Sequence, residues 1–252
     1  MESLRRLMPK LTMQLRKGDM GKIAIIGGSA EYTGAPYYAA ATVVNMGADL
    51  IYVMCAPEAA PIIKGYSPDF IVHPSLEPEF VIPDGLWFLS ENITMLPRLE
   101  SAILTPNFME FSRLCKAALG VDDVVKIRDP EEIRKLAVRL SDKIGVAVFV
   151  KKEHDILVDP EGDVTESEAI GSPRRVGGQG DTTAGSLGLL LYWARKAGLD
   201  WKSARKEASM ASSWLIRESA RRAFAAEGRP MTTTHVIGQI ANVIRMVDNN
   251  QL

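Results

Sequence analysis

Lys22-Ile23-Ala24-Ile25-Ile26-Gly27-Gly28-Ser29 is a short, nearly all-apolar run rich in isoleucine that ends in paired glycines. A strand covered on both faces reads this way, because it has no water-facing side to fill with polar residues. Small residues at helical spacing follow over 35–46, closed by Gly47. The same alternation then repeats. Residues 49–55 and Phe70-Ile71-Val72 read as the next strands, with a short helix over 59–64 between them. Ala102-Ile103-Leu104 is a further apolar run, stopped by Pro106. Strands over 146–150 and Ile156-Leu157-Val158 come next, joined by polar residues 151–155. Longer helices are expected over 108–118, 130–143, 182–196, 203–222 and 234–247. Strands alternating with helices predict an α/β fold with a mostly parallel central sheet, flanked by helices on both faces. No fixed repeat and no Ser/Pro-rich linker divides the chain, so residues 1–252 are expected to form a single domain.

Composition narrows the function classes. The chain has 252 residues, 46% hydrophobic, enough for the core of one large domain. Thirty Lys+Arg oppose thirty-one Asp+Glu, a net charge of -1. No global basic field exists to hold nucleic acid or an anionic membrane. No apolar run approaches the ~20 residues of a membrane span. The basic N-terminus (Arg5, Arg6, Arg16, Lys17) lacks the apolar core of a secretory signal. Cytoplasm is the expected compartment, ahead of the mitochondrion. Cys55 and Cys115 make neither a disulfide framework nor a four-cysteine zinc site. His73, His154 and His235 are scattered, so no protein-held metal is expected.

The strongest chemical signal is Gly177-Gly178-Gln179-Gly180-Asp181-Thr182-Thr183-Ala184-Gly185, leading straight into a helix. Closely spaced glycines let several N–H groups turn toward one point, and the helix start adds positive charge, which together suit phosphate. Asp181 beside such a pocket can take a proton from a hydroxyl being phosphorylated. An ordinary helix start, with Asp181 as the cap, uses the same residues. Gly27-Gly28-Ser29-Ala30-Glu31-Tyr32-Thr33-Gly34 also joins a strand to a helix, but G-x-G-x-x-G is absent. Cys55 and Ala56 stand where a ribose-binding acid would be, which disfavours a nicotinamide dehydrogenase. Asn107 with Glu110 three residues on reads either as a capping box or as part of a site. Lys151-Lys152-Glu153-His154-Asp155 is a solvated tip or a ligand loop, and Arg174 and Arg175 either reach phosphate or face water.

Taken together, the chain resembles the ATP-dependent NAD(P)H-hydrate dehydratase family of the ribokinase-like superfamily. Four segments carry the resemblance: Gly27-Gly28 with Glu31-Tyr32-Thr33-Gly34-Ala35-Pro36-Tyr37; Lys64-Gly65-Tyr66-Ser67-Pro68-Asp69; residues 104–113; and Gly177-Gly178-Gln179-Gly180-Asp181. The resemblance implies repair of hydrated NADH or NADPH, with ATP as co-substrate and Mg²⁺ on its phosphates. The ring hydroxyl is phosphorylated and phosphate is then eliminated. By the same resemblance Asp181 is the catalytic base and touches the hydrate. Asn107-Phe108-Met109-Glu110-Phe111-Ser112-Arg113 would line the hydrate site. Lys151-Lys152-Glu153-His154-Asp155 and Gly171-Ser172-Pro173-Arg174-Arg175-Val176-Gly177-Gly178-Gln179-Gly180 would hold ATP. Pairing with an NAD(P)H-hydrate epimerase is implied as well.

Two departures from the family pattern stand out. Lys152 replaces a glycine, which brings either strain or an added charge near phosphate. Around residues 76–83, Glu79-Phe80-Val81-Ile82-Pro83 runs directly into Asp84-Gly85-Leu86-Trp87. The family's Gly-Pro-Gly turn, a helix and most of a central strand are missing there. Two other functions therefore compete with the dehydratase: a different ribokinase-like small-molecule kinase, and a nucleotide-binding relative impaired by the deletion.

Overall fold

The computed structural model describes residues 1–76 and 85–251. The run from Glu79 to Asp84, expected above to mark a lost strand–helix unit, lies outside the described residues. In chain order the elements are α1 (Glu2–Leu7), β1 (Lys22–Ile26), α2 (Gly34–Asn45), β2 (Leu50–Met54), α3 (Ala60–Tyr66), β3 (Phe70–His73), α4 (Gly85–Glu91), β4 (Leu99–Leu104), α5 (Phe108–Leu119), α6 (Pro130–Ile144), β5 (Val146–Val150), β6 (Ile156–Val158), β7 (Val164–Glu166), α7 (Gln179–Lys196), α8 (Trp201–Glu227) and α9 (Thr233–Asp248). They form two compact units. The first comprises Met1–Pro83, Ala169–Leu199 and Met210–Leu252; the second comprises Asp84–Glu168 and Asp200–Ser209.

In the first unit, β1, β2 and β3 pair in parallel in that order. α2 and α3 are the crossovers that parallel pairing demands. Ile51, Val53, Phe70 and Val72 are buried on one face. The expectation that β1 is covered on both faces is not met: Lys22, Ala24 and Ile26 are exposed, Ile26 by 69%. β1 lies at the end of the strand order, and its alternate side chains share an open sheet face with Ile71. An all-apolar run cannot reveal which of its two faces is open.

α2 and α7 pack backbone to backbone. A Cβ on Gly185 would lie 2.5 Å from the Ala39 carbonyl oxygen and 3.0 Å from Ala39 Cα. Backbone cannot swing aside as a side chain does. Gly185→Ala is therefore expected to destabilise by about 1–3 kcal/mol, the usual cost of overpacking. Gly188, one turn on, has open space where its Cβ would be, so Gly188→Ala should stabilise the helix by up to about 1 kcal/mol. Urea midpoints of the two variants check both signs at once.

The second unit holds β4-β5-β6-β7, with β4 and β5 parallel and the rest antiparallel. β5 is buried along its whole length. Its core gathers Phe111, Leu114, Leu136, Leu140, Val146 and Val148. Ser141 Oγ donates to the Val146 carbonyl at 2.8 Å, so even this polar core atom is satisfied. Cys55 and Cys115 are free and fully buried, and burial pushes the Cys115 thiol up to about 12. They behave as small hydrophobes, as their isolation in the sequence suggests.

Candidate active site

The glycine loop belongs to the first unit. Gly178 is the N-cap of α7 with φ 89°, a left-handed conformation that only glycine adopts without strain. Gly178 has no side chain with which to cap α7. The N-cap position expected for Asp181 falls to Gly178: Asp181 stands in the first helical turn, and its N–H bonds to the Gly178 carbonyl at 3.1 Å. The Thr182 and Thr183 hydroxyls donate back to the Gln179 carbonyl at 2.7 and 3.1 Å. The N–H groups of Gln179 and Gly180 precede the first intrahelical bonds, so helix geometry gives them no partner within α7. A glycine-capped helix start with a carboxylate in its first turn can receive an anionic phosphate and a proton at neighbouring points.

The loop is fastened from several sides. Thr233 Oγ1 donates to the Gly177 carbonyl at 2.5 Å, and Arg174 Nε donates to the Met231 carbonyl at 3.0 Å. Val176 packs against Ala220, Ala223, Met231 and Val236. Arg217 Nη1 donates to the Ala169 carbonyl at 3.4 Å, and its stem flanks Gly171. Ser172 Oγ bonds to the Arg174 carbonyl, while Pro173 and Arg175 are exposed. Of this set, Arg217 and Thr233 were missed in the sequence. Arg217 sits beside Glu218, which pairs with Arg221 and Arg222. Thr233 is one of three consecutive threonines at the start of α9, a visible helix-entry signal whose second role was not.

Two of the resembling segments meet in this unit. Thr33 Oγ1 and the Tyr66 hydroxyl lie 2.8 Å apart, and the rings of Tyr37 and Tyr66 have centroids 5.1 Å apart. The Gly27-Gly28 turn is tied into the sheet, with Gly27 N–H donating to the Met54 carbonyl and the Ala56 N–H donating to the Gly28 carbonyl.

The second unit brings together the other two groups of expected site residues. β4 and β5 are adjacent and parallel, so the loops at their carboxyl ends lie side by side, where α/β sheets bind ligands. Asn107 bridges to Lys151, and the Lys151 N–H donates to the Pro106 carbonyl at 2.9 Å. Asn107 and Glu110 form a full capping box at the start of α5: Asn107 Oδ1 accepts from the Met109 and Glu110 amides, and Glu110 Oε2 accepts from the Asn107 amide at 2.7 Å. Phe108 stacks on Phe111, and Phe111 is wholly buried in the core. Asn107, Met109 and Arg113 are exposed, with Ser112 half-buried. In the 151–155 turn, the buried Asp155 carboxylate accepts from the Lys152 amide at 3.1 Å, while Glu153 and His154 are exposed. Non-glycine residues with positive φ among the described residues are Asp123 and Asn250, so Lys152 adds charge there without left-handed strain.

Among the described residues no cluster of three His, Cys, Asp or Glu side chains is arranged to hold a metal. No helix among them is long and apolar enough to cross a membrane.

Comparison with known proteins places the chain in a family and a fold. The family profile described as NAD(P)H-hydrate dehydratase matches residues 23–83 and 77–242. The ATP-dependent (S)-NAD(P)H-hydrate dehydratase of Caenorhabditis briggsae is 46% identical, with 100% of this chain and 96% of that protein covered. The Bos taurus protein of the same name is 35% identical, covering 97% and 88%. The first alignment spans 296 positions against a chain of 252, so at least 44 positions are filled only in the relative. In structure, a ribokinase-like superfamily protein from Enterococcus faecalis V583 superposes with a TM-score of 0.74 at 16% identity, over 98% of this chain and 94% of that one. The ADP/ATP-dependent NAD(P)H-hydrate dehydratase from Bacillus subtilis, co-crystallised with ATP/Mg²⁺, superposes with a TM-score of 0.71 at 16% identity, over 98% and 96%. These two likenesses establish the ribokinase-like fold. Matched along its whole length at such identity, the chain belongs to the NAD(P)H-hydrate dehydratase family.

Proposed function

We propose that this chain restores hydrated NADH or NADPH by ATP-dependent dehydration. The observation that carries the reading is the left-handed Gly178 at the start of α7 with Asp181 in its first turn, on a chain 46% identical to a protein named for that reaction. Hydroxide is a poor leaving group and phosphate a good one, so a kinase-like site solves the chemical problem. The ring hydroxyl attacks the terminal phosphorus of ATP, Asp181 accepts its proton, and ADP departs. The C–O bond then breaks with loss of a ring proton, and phosphate leaves with the bonding pair. The amides of Gly178, Gln179 and Gly180 stabilise charge on the phosphoryl group as it moves.

Residues 171–180 and Lys151-Lys152-Glu153-His154-Asp155 are assigned to ATP, and Asn107 to Arg113 with Asp181 to the hydrate. Within the second set, Phe111 supports the others from the core rather than lining the site. Mg²⁺ would ride on the triphosphate and neutralise its charge. Mg²⁺ commonly keeps its waters and substrate phosphates as ligands, so the nucleotide itself would hold it. The whole chain acts as one ribokinase-like domain in the cytoplasm, and an NAD(P)H-hydrate epimerase is its natural companion, converting the other hydrate epimer into substrate.

One observation favours a second reading. The 44 or more positions filled only in the relative are in keeping with the loss expected around residues 76–83, and an impaired nucleotide-binding protein is what such a loss would leave. An absorbance assay separates the two. Purified protein with hydrated NADH, Mg²⁺ and ATP should regain the reduced-nicotinamide band only when ATP is present. ATP binding without recovery would support the impaired relative, and a stable phosphorylated product would point to a different small-molecule kinase.

A further inference from the structure

We infer that Tyr38 is a positioning residue for the ATP site, its ring setting the height of the Gly177–Gly180 loop. The inference rests on the reading of that loop as the seat of the ATP phosphates. A Cβ placed on Gly178 would lie 2.4 Å from Tyr38 Cδ2 and 2.5 Å from Cε2. The flat ring therefore lies directly against the Gly178 backbone, at a distance no side chain on that residue could share. This is a second reason for glycine there, independent of its φ of 89°.

The ring has its own support. Tyr37 flanks it with centroids 5.5 Å apart, and its Cε2 edge reaches toward Gly34, one turn earlier in α2. α2 in turn is locked to α7 where Gly185 meets the Ala39 backbone. Gly178 and Gly185 are seven residues apart, two helical turns, so α2 touches α7 at both points along one side. On the residue before Gly178, the Thr233 hydroxyl holds the Gly177 carbonyl at 2.5 Å. The loop is thus held by an aromatic plane from α2 and by a hydroxyl from α9. Its orphan amides are fixed before any anion arrives, which is the preorganisation that phosphoryl transfer requires. Without the plane, the loop can relax into the space and the amides lose their common aim.

The contact is made by ring carbons, so Tyr38→Phe should bind and turn over as the parent does. Tyr38→Leu and Tyr38→Met fill similar volume without a plane. Each should raise the calorimetric Kd and the KM for ATP by about 10-fold while the KM for hydrated NADH stays put. Two such variants guard against one failing to fold, which circular dichroism and thermal melting report. ATP binding unchanged in a folded Leu or Met variant would overturn the inference. So would a rise in both KM values together, since that marks general loosening. If the parent binds ATP but does not dehydrate the hydrate, calorimetry still decides the role of Tyr38 while the proposed function falls. A parent that binds no ATP removes both.

Discussion

Asp181→Asn is expected to lower turnover by about 10²–10⁴-fold, the range lost when a general base is removed, while ATP still binds. Asn keeps the size and an acceptor oxygen, so the half-buried position in the first turn of α7 is not emptied. What it removes is the negative charge and the proton-accepting oxygen. Those two losses have separable signatures. A carboxylate in a first turn offsets the helix dipole by about 0.3–1 kcal/mol, so the loss of that effect costs little stability. The same charge repels a triphosphate seated at the neighbouring amides, so its removal should leave ATP affinity equal or tighter. Large loss of turnover, a small shift in melting and undiminished ATP binding together identify a base. Unchanged turnover would sink that role. A large drop in melting temperature accompanied by weaker ATP binding would instead make Asp181 a structural part of the helix start.

The element boundaries were largely legible because each rested on a local device. Asn107 and Asp129 cap α5 and α6 through their own side chains, and Gly120 and Gly145 close the same helices in left-handed conformations. Such signals lie within four residues of the boundary they mark. β7 and α1 went unread for the opposite reason. Val164–Glu166 is three residues with one large apolar side chain, and it is a strand because β6 pairs with it. The glycine loop was legible as chemistry, but not its supports. Nothing around Tyr38 announces that its ring will meet a backbone 140 positions later, and Arg217 looks like its solvated neighbours. The pattern of apolar residues fixes periodicity; contacts at long sequence separation decide which face is covered, as at β1.

Breaking the Arg205–Asp159 pair is expected to cost about 3–5 kcal/mol, the typical loss when one member of a buried ion pair is removed. Arg205 lies in the first turns of α8, within the second unit, and the two side chains are only 2% and 4% exposed. Arg205 Nε donates to Asp159 Oδ1, its Nη1 donates to the Glu100 carbonyl at 2.7 Å, and its Nη2 reaches Glu161 Oε2 at 3.3 Å. One guanidinium thus joins α8, the β4 strand and the turn between β6 and β7. Burial holds the Asp159 carboxyl above its ordinary range, with Arg205 pulling the other way. Desolvation outweighing attraction at that carboxyl argues that the pair itself contributes little net stability. The cost appears when one charge is left alone. Arg205→Met and Asp159→Leu should each lower the urea midpoint sharply, and amides of residues 201–209 should lose hydrogen-exchange protection first. The double variant should recover most of the loss, because two apolar side chains replace two desolvated charges. If the double variant is instead as unstable as the sum of the singles, the charges act independently, and the three-way connection made by Arg205 carries no coupling.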